Sequence, residues 1–214
     1  MANVNYSTFF DEVLPEVAGC IQAVALNAIR NAAIEFCEKS LAYLYNHPAI
    51  NAVLNTPAYA FVPPSGTLVA KVLQVFYNGI EIFPKTPDEL KSYYPTLDWR
   101  DRTGTPLFYT QDDERNIILV PMPDASLTGA IKMRVALKPT RASTTIVDRI
   151  WEEHLETIKN GALYRLKIQP NKPYSDEAGA KTNFAFFNDQ IETAKSKASR
   201  GFGRANRRVV PHFF

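Results

Sequence analysis

Two groups of residues in this 214-residue chain could do chemistry by type and spacing. The first is in "WEEHLE", where His154 and Glu156 form an H-x-E pair. With a downstream P-C-x-x-C, such a pair holds zinc and activates water in deaminases. No P-C-x-x-C follows here, and the H-E-x-x-H pattern of zinc hydrolases is also absent. "WEEHLE" then reads as a polar helix face around a buried Trp151. Asp112, Asp113 and Glu114 read as a solvated hairpin tip. "GFGRAN" contains G-x-G after a helical pattern rather than a strand, and "PPSGTLVAK" lacks the P-loop spacing. Cys20 and Cys37 have no metal-ligand spacing and no nearby His, so they read as reduced core residues in a reducing compartment. The expectation is a protein without catalytic, metal or cofactor residues, and not an enzyme.

The second group closes the sequence, in "RGFGRANRRVVPHFF". Lys195, Lys197, Arg200, Arg204, Arg207 and Arg208 are followed by His212, Phe213 and Phe214, with no acidic residue after Glu192. These six cations leave a net −4 on the rest of a chain whose total is +2. A mildly acidic body with a basic end favours an interaction tail. The tail has too little apolar surface to fold alone. From its residues it is either disordered ballast or an arm for a partner. Guanidinium forks suit carboxylates at an interface, and terminal aromatics suit an apolar pocket. A short basic strip could also attract phosphates.

The remaining composition is that of a globular body, with 46% hydrophobic and 21% charged residues. "MANVNYSTFFDEVL" lacks a basic segment followed by an apolar run, and no apolar segment approaches the ~20 residues of a membrane span. The expectation is a soluble protein made in a cytoplasm, without membrane contact.

The elements that would position the tail can be read in order. "YSTFFDEVLPEVA" predicts a short helix. Ile21, Val24, Ala25, Ala28, Ile29, Ala32 and Phe36 recur at helical spacing, and Pro48 is read as the end of that helix. From Pro57 to Pro139 the pattern is β-rich. "LVAKVLQVFYNGIEIFP" predicts a hairpin around Asn78-Gly79, and "PLFYTQDDERNIILVPMP" another around an acidic turn. "TPDELKSYYP" predicts a short helix capped by Thr86. "GAIKMRVALKP" predicts a half-buried strand. Helix returns at "TTIVDRIWEEHLETIKNGALYRLKI", with a stripe of Trp151, Leu155, Ile158, Ala162 and Leu166, and with Gly161 open to a close neighbour. "YSDEAGAKTNFAFFNDQIETAKSKASRG" predicts a last helix capped by Ser175. Its seam is Ala180, Phe184, Phe187, Ile191, Ala194 and Ala198. The predicted fold is α+β: a helical bundle of N-terminal helices plus a C-terminal αα-hairpin, with an inserted antiparallel β-rich region and an extended C-terminal arm. The predicted layout is one domain over 1–214, with the β-rich insertion at 57–140 and the tail at 201–214.

The stretch "VDRIWEEHLETIKNGALYRLKIQPNKPYSDEAGAKTNFAFFNDQIETAKSKASRGF" resembles the C-terminal αα-hairpin of head-to-tail adaptor (connector) proteins of tailed bacteriophages. The shared pattern is a helix closing on "GALYRL", the Pro-containing turn "QPNKPYSD", and a helix with a basic end. The β-rich middle matches in organisation only. The resemblance implies a structural virion protein of the neck, made in the host cytoplasm. It implies a homo-oligomeric, dodecameric ring beneath the portal protein that extends the DNA channel and supports a tail nozzle or other tail components. Genomic DNA would pass without sequence-specific binding. The portal-binding residues would be Arg200, Phe202, Arg204, Arg207, Arg208, His212, Phe213 and Phe214. From the tail itself, a segment that orders only on a partner delays assembly until that partner is present, so the free protein is expected to be largely monomeric. A small nucleic-acid-binding protein using the same basic tail is the alternative.

Overall fold

The computed structural model describes residues 2–96 and 98–200. In chain order the elements are β1 (Asn3–Asn5), α1 (Phe10–Val13), α2 (Gln22–Ser40), β2 (Leu44–Ala52), β3 (Ala58–Ala60), β4 (Thr67–Tyr77), β5 (Ile80–Pro84) and α3 (Pro87–Tyr93). They continue with β6 (Thr103–Gly104), β7 (Phe108–Thr110), β8 (Asn116–Val120), β9 (Met122–Pro123), β10 (Leu127–Pro139), β11 (Thr145–Val147), α4 (Asp148–Lys167) and α5 (Glu177–Arg200). Among the described residues two compact units result, one of 2–43 with 138–200 and the other of Leu44–Leu137.

The first unit packs α2, α4 and α5 together, with the short α1 turn and the antiparallel pair β1–β11. Its core includes Phe9, Ile29, Phe36, Ile150, Leu166 and Phe187, all fully buried. Gly161 is where the three long helices meet. A Cβ there would lie 2.6 Å from Phe187 Cε2 and 2.9 Å from Ala32 Cβ. The sequence position read as open to a close neighbour thus admits two. Helix α4 is bent at His154, whose φ of −135° and ψ of 22° are not helical.

The second unit is a seven-stranded mixed sheet in the order β2-β10-β4-β5-β7-β8-β3. The hairpin β4–β5 turns at Asn78 and Gly79, with φ of 47° and 83°. Both positions need the left-handed region, which Asn and Gly tolerate. Strands β5 and β7 run parallel. A parallel pair needs a crossover, and here α3 and the Trp99 turn supply it. Thr86 caps α3, as its sequence predicts, and the structure adds a reciprocal capping box with Glu89. Under the crossover Leu90, Trp99 and Val120 form a small core. The two end strands are tied as well. Val62 N–H donates to His47 Nε2 at 2.7 Å, and Val53 N–H donates to the Tyr59 hydroxyl at 3.0 Å. The sheet is therefore nearly a barrel.

This architecture corrects the predicted one. The protein is α+β, but it is not a helical-bundle body with an antiparallel inset: its largest element is the mixed sheet. Two physical causes misled the sequence reading. Helix α2 ends at Leu41, in left-handed conformation with φ of 56°, and not at Pro48. Pro48 lies inside β2, at the end of the sheet order, where a missing N–H costs no ladder bond. The hairpin signals suggested only antiparallel neighbours, whereas the crossover through α3 sets β5 parallel to β7.

Candidate partner interface

Of the eight tail residues singled out by sequence, Arg200 is the last residue of α5 and is exposed. Phe202, Arg204, Arg207, Arg208, His212, Phe213 and Phe214 lie outside the described residues. What the structure supplies is the platform that carries them.

That platform starts at the turn between α4 and α5. Asp176, not Ser175, caps α5: its Oδ1 accepts from Gly179 N–H at 2.9 Å. Ser175 instead closes the turn, its hydroxyl accepting from Lys172 N–H at 2.9 Å and donating to the Gln169 carbonyl. Along α5, Ala180, Phe187, Ile191 and Ala194 are buried, as the seam predicts. Phe184 departs from it. It is 44% exposed and leans edge-on against Tyr164 at 5.0 Å. The Arg165 guanidinium lies 4.7 Å from the Tyr164 ring centre and ion-pairs with Glu35 of α2. At the far end Lys195, Lys197 and Arg200 are exposed, where cations complement the carbonyl end of the helix dipole.

Ion pairs fasten the platform from beneath. Burial pushes the Glu35 carboxyl up, but Lys39 and Arg165 outweigh it and hold it below the usual carboxylate range. Glu16 behaves alike: burial raises it, while Lys167 at 3.0 Å and Lys159 at 3.2 Å bring it lower overall. Burial against Phe36, with ring centres 4.7 Å apart, lowers His154. His154 is therefore packed into the helical unit at the bend of α4, with Glu153 3.9 Å from its Nε2. Trp151 is half-buried, edge-on to Phe9 at 4.6 Å.

Among the described residues no group of three His, Cys, Asp or Glu side chains could hold a metal. No helix there is long and apolar enough to cross a membrane. Cys37 is fully buried, and burial pushes its thiol up to about 12. Cys20 is only half-buried, so it is not the core residue expected. The Asp112–Glu114 tip is exposed, and Asp113 Oδ1 accepts from the backbone N–H of Arg115 and Asn116, both at 2.8 Å. Those bonds hold the Asp113 carboxyl low.

The sequence reading missed two exposed apolar places. On the helical unit Phe186 is 56% exposed, on the face of α5 turned away from its seam. On the sheet unit Phe83 is exposed opposite Phe108 in the parallel register, with the Tyr93 ring 5.0 Å from Phe108. Phe186 had a signal, since it is the one aromatic of "FAFF" off the 180-184-187-191 spacing. The Phe83 patch depends on the parallel register, which carries no short-range signal.

No curated protein matches the chain. A family model does: that of the SU10 adaptor protein, over residues 4–210. The match spans both units and runs into the tail through Arg204, Arg207 and Arg208. The chain belongs to the SU10 adaptor protein family, and is a structural adaptor of the phage kind that its αα-hairpin resembles.

Proposed function

We propose that this adaptor forms a dodecameric ring at the virion neck, docks on the portal protein through its C-terminal arm, extends the DNA channel and supports the tail components below. The observation that carries the reading is the family match over residues 4–210, which includes most of the basic arm. The platform favours it too. Helix α5 is seated on two other helices and presents Lys195, Lys197 and Arg200 at the point where the arm begins. The arm of residues 201–214 reaches at most about 50 Å when extended, at ~3.3–3.6 Å per residue. That length suffices to meet a neighbouring protein. Arginine forks there suit an acidic portal surface, and Phe213 and Phe214 suit an apolar pocket on it.

Binding kinetics on immobilised portal test the proposal. Deleting residues 202–214 leaves the helical unit folded, because the Asp176 cap and the buried seam of Ala180, Phe187, Ile191 and Ala194 lie before the cut, and abolishes stable docking. Replacing Arg204, Arg207 and Arg208 by Ala chiefly slows association and flattens its salt dependence. Replacing Phe213 and Phe214 by Ala chiefly speeds dissociation. A truncated chain that docks with unchanged kinetics would overturn the arm.

A further inference from the structure

We propose that in the free protein the outward face of α5 pairs with the same face of a second copy, antiparallel, about a twofold axis near Ala185. This goes beyond the portal reading, because it concerns the protein before any partner is met.

Among the described residues, no other element is seen to cover this face. Lys181, Thr182, Ala185, Phe186 and Asp189 line an open concavity of about 560 Å³ on the side of α5 opposite its buried seam. Phe186 stands in it more than half exposed. The charges select the occupant. Lys181 and Asp189 have opposite sign and sit symmetrically about Ala185, about 12 Å apart along the helix at 1.5 Å per residue. An antiparallel copy therefore brings Lys181 of each chain against Asp189 of the other, twice. A parallel copy in the same register would set like charges opposite one another.

Other features agree with the pairing. Asp189 has no ion-pair partner among the described residues. Lys181 has only Glu177, in a pair whose side chains are 74% and 78% exposed. Such an exposed pair is weak and easily exchanged. Thr182 and Ala185 are small enough for two helix axes to approach closely. Phe186 then packs against the partner's helix, and its exposed ring is covered.

A twofold contact is closed: once two copies meet, that face accepts no third. While two copies are paired, this face of α5 is covered. Three helical turns bury less than the roughly 1,000 Å² of a stable interface. The dimer is accordingly weak and concentration-dependent.

Sedimentation equilibrium of the full chain alone, from micromolar to near-millimolar protein, tests this. The wild type should show a monomer–dimer equilibrium. Phe186→Ala should weaken it. Asp189→Lys and Lys181→Asp should each weaken it by roughly tenfold or more, since each sets like charges together twice. The double variant K181D/D189K should restore it. All these side chains are on the exposed face, and circular dichroism checks that each variant is folded. A wild type that stays monomeric throughout overturns the proposal. So does a dimer indifferent to the single charge reversals, or a double variant that does not recover. Portal takes no part in the experiment, so failure here leaves the docking arm standing.

Discussion

Glu35, Glu16 and His154 make the stability of the helical unit depend on pH in one direction. Each has a folded-state pKa below its ordinary value, near 4.5 for the two carboxyls and 6.5 for the imidazole. The unfolded chain therefore takes up protons first as pH falls, and stability drains toward the unfolded side. His154 acts first, once pH falls below ~6.5, and the carboxyls act below ~4.5. Thermal melts should show a modest fall in Tm between pH ~7 and ~5, then a steeper one below ~4.5. His154→Gln should flatten the upper part and leave the lower. A wild-type Tm that rises on acidification through this range would contradict the assignment. The signal for His154 was present in the sequence as an H-x-E pair, but spacing alone could not say that the ring packs on Phe36. Burial decided its role.

At the scale of elements, legibility tracked how local the physics is. The Asn78-Gly79 turn, the Thr86 cap of α3 and the seam through Phe187 rest on residues a few positions apart, and each could be read. The end of α2 could not. Pro48 is as compatible with an edge strand as with a helix stop, and Leu41 in left-handed conformation carries no residue-type signal. The α5 cap was one residue off because Ser175 and Asp176 are both good caps, and the turn needed Ser175 for itself. The seam gives a sharp contrast. Phe187 is fully buried between Gly161 and the Tyr164 ring, whereas Phe184 is nearly half exposed. Phe187→Ala should cost about 3–5 kcal/mol and lower Tm sharply. Phe184→Ala should cost less than half of that, as it buries far less surface. Chemical denaturation of the two variants measures both. Equal losses would mean that α5 is seated differently.

At the scale of the molecule the long-range pairings were illegible. The β5–β7 parallel pair joins strands separated by α3 and the Trp99 turn, and the His47 and Tyr59 ties join the two ends of a seven-stranded sheet. None of these follows from local pattern, so the chain was read as a helical body with an inset when its largest element is the mixed sheet. Family membership was reached by another route, through the αα-hairpin and its basic end. The arm of residues 201–214 belongs to the same argument, as the part of the chain whose composition asks for a partner. The most direct measurement of the central claim is the mass of the full-length protein, by light scattering, alone and mixed with portal. The account predicts a ring-sized complex of many copies on the portal and no ring of that size from the protein alone. A mixture in which portal and adaptor keep their separate masses would contradict it.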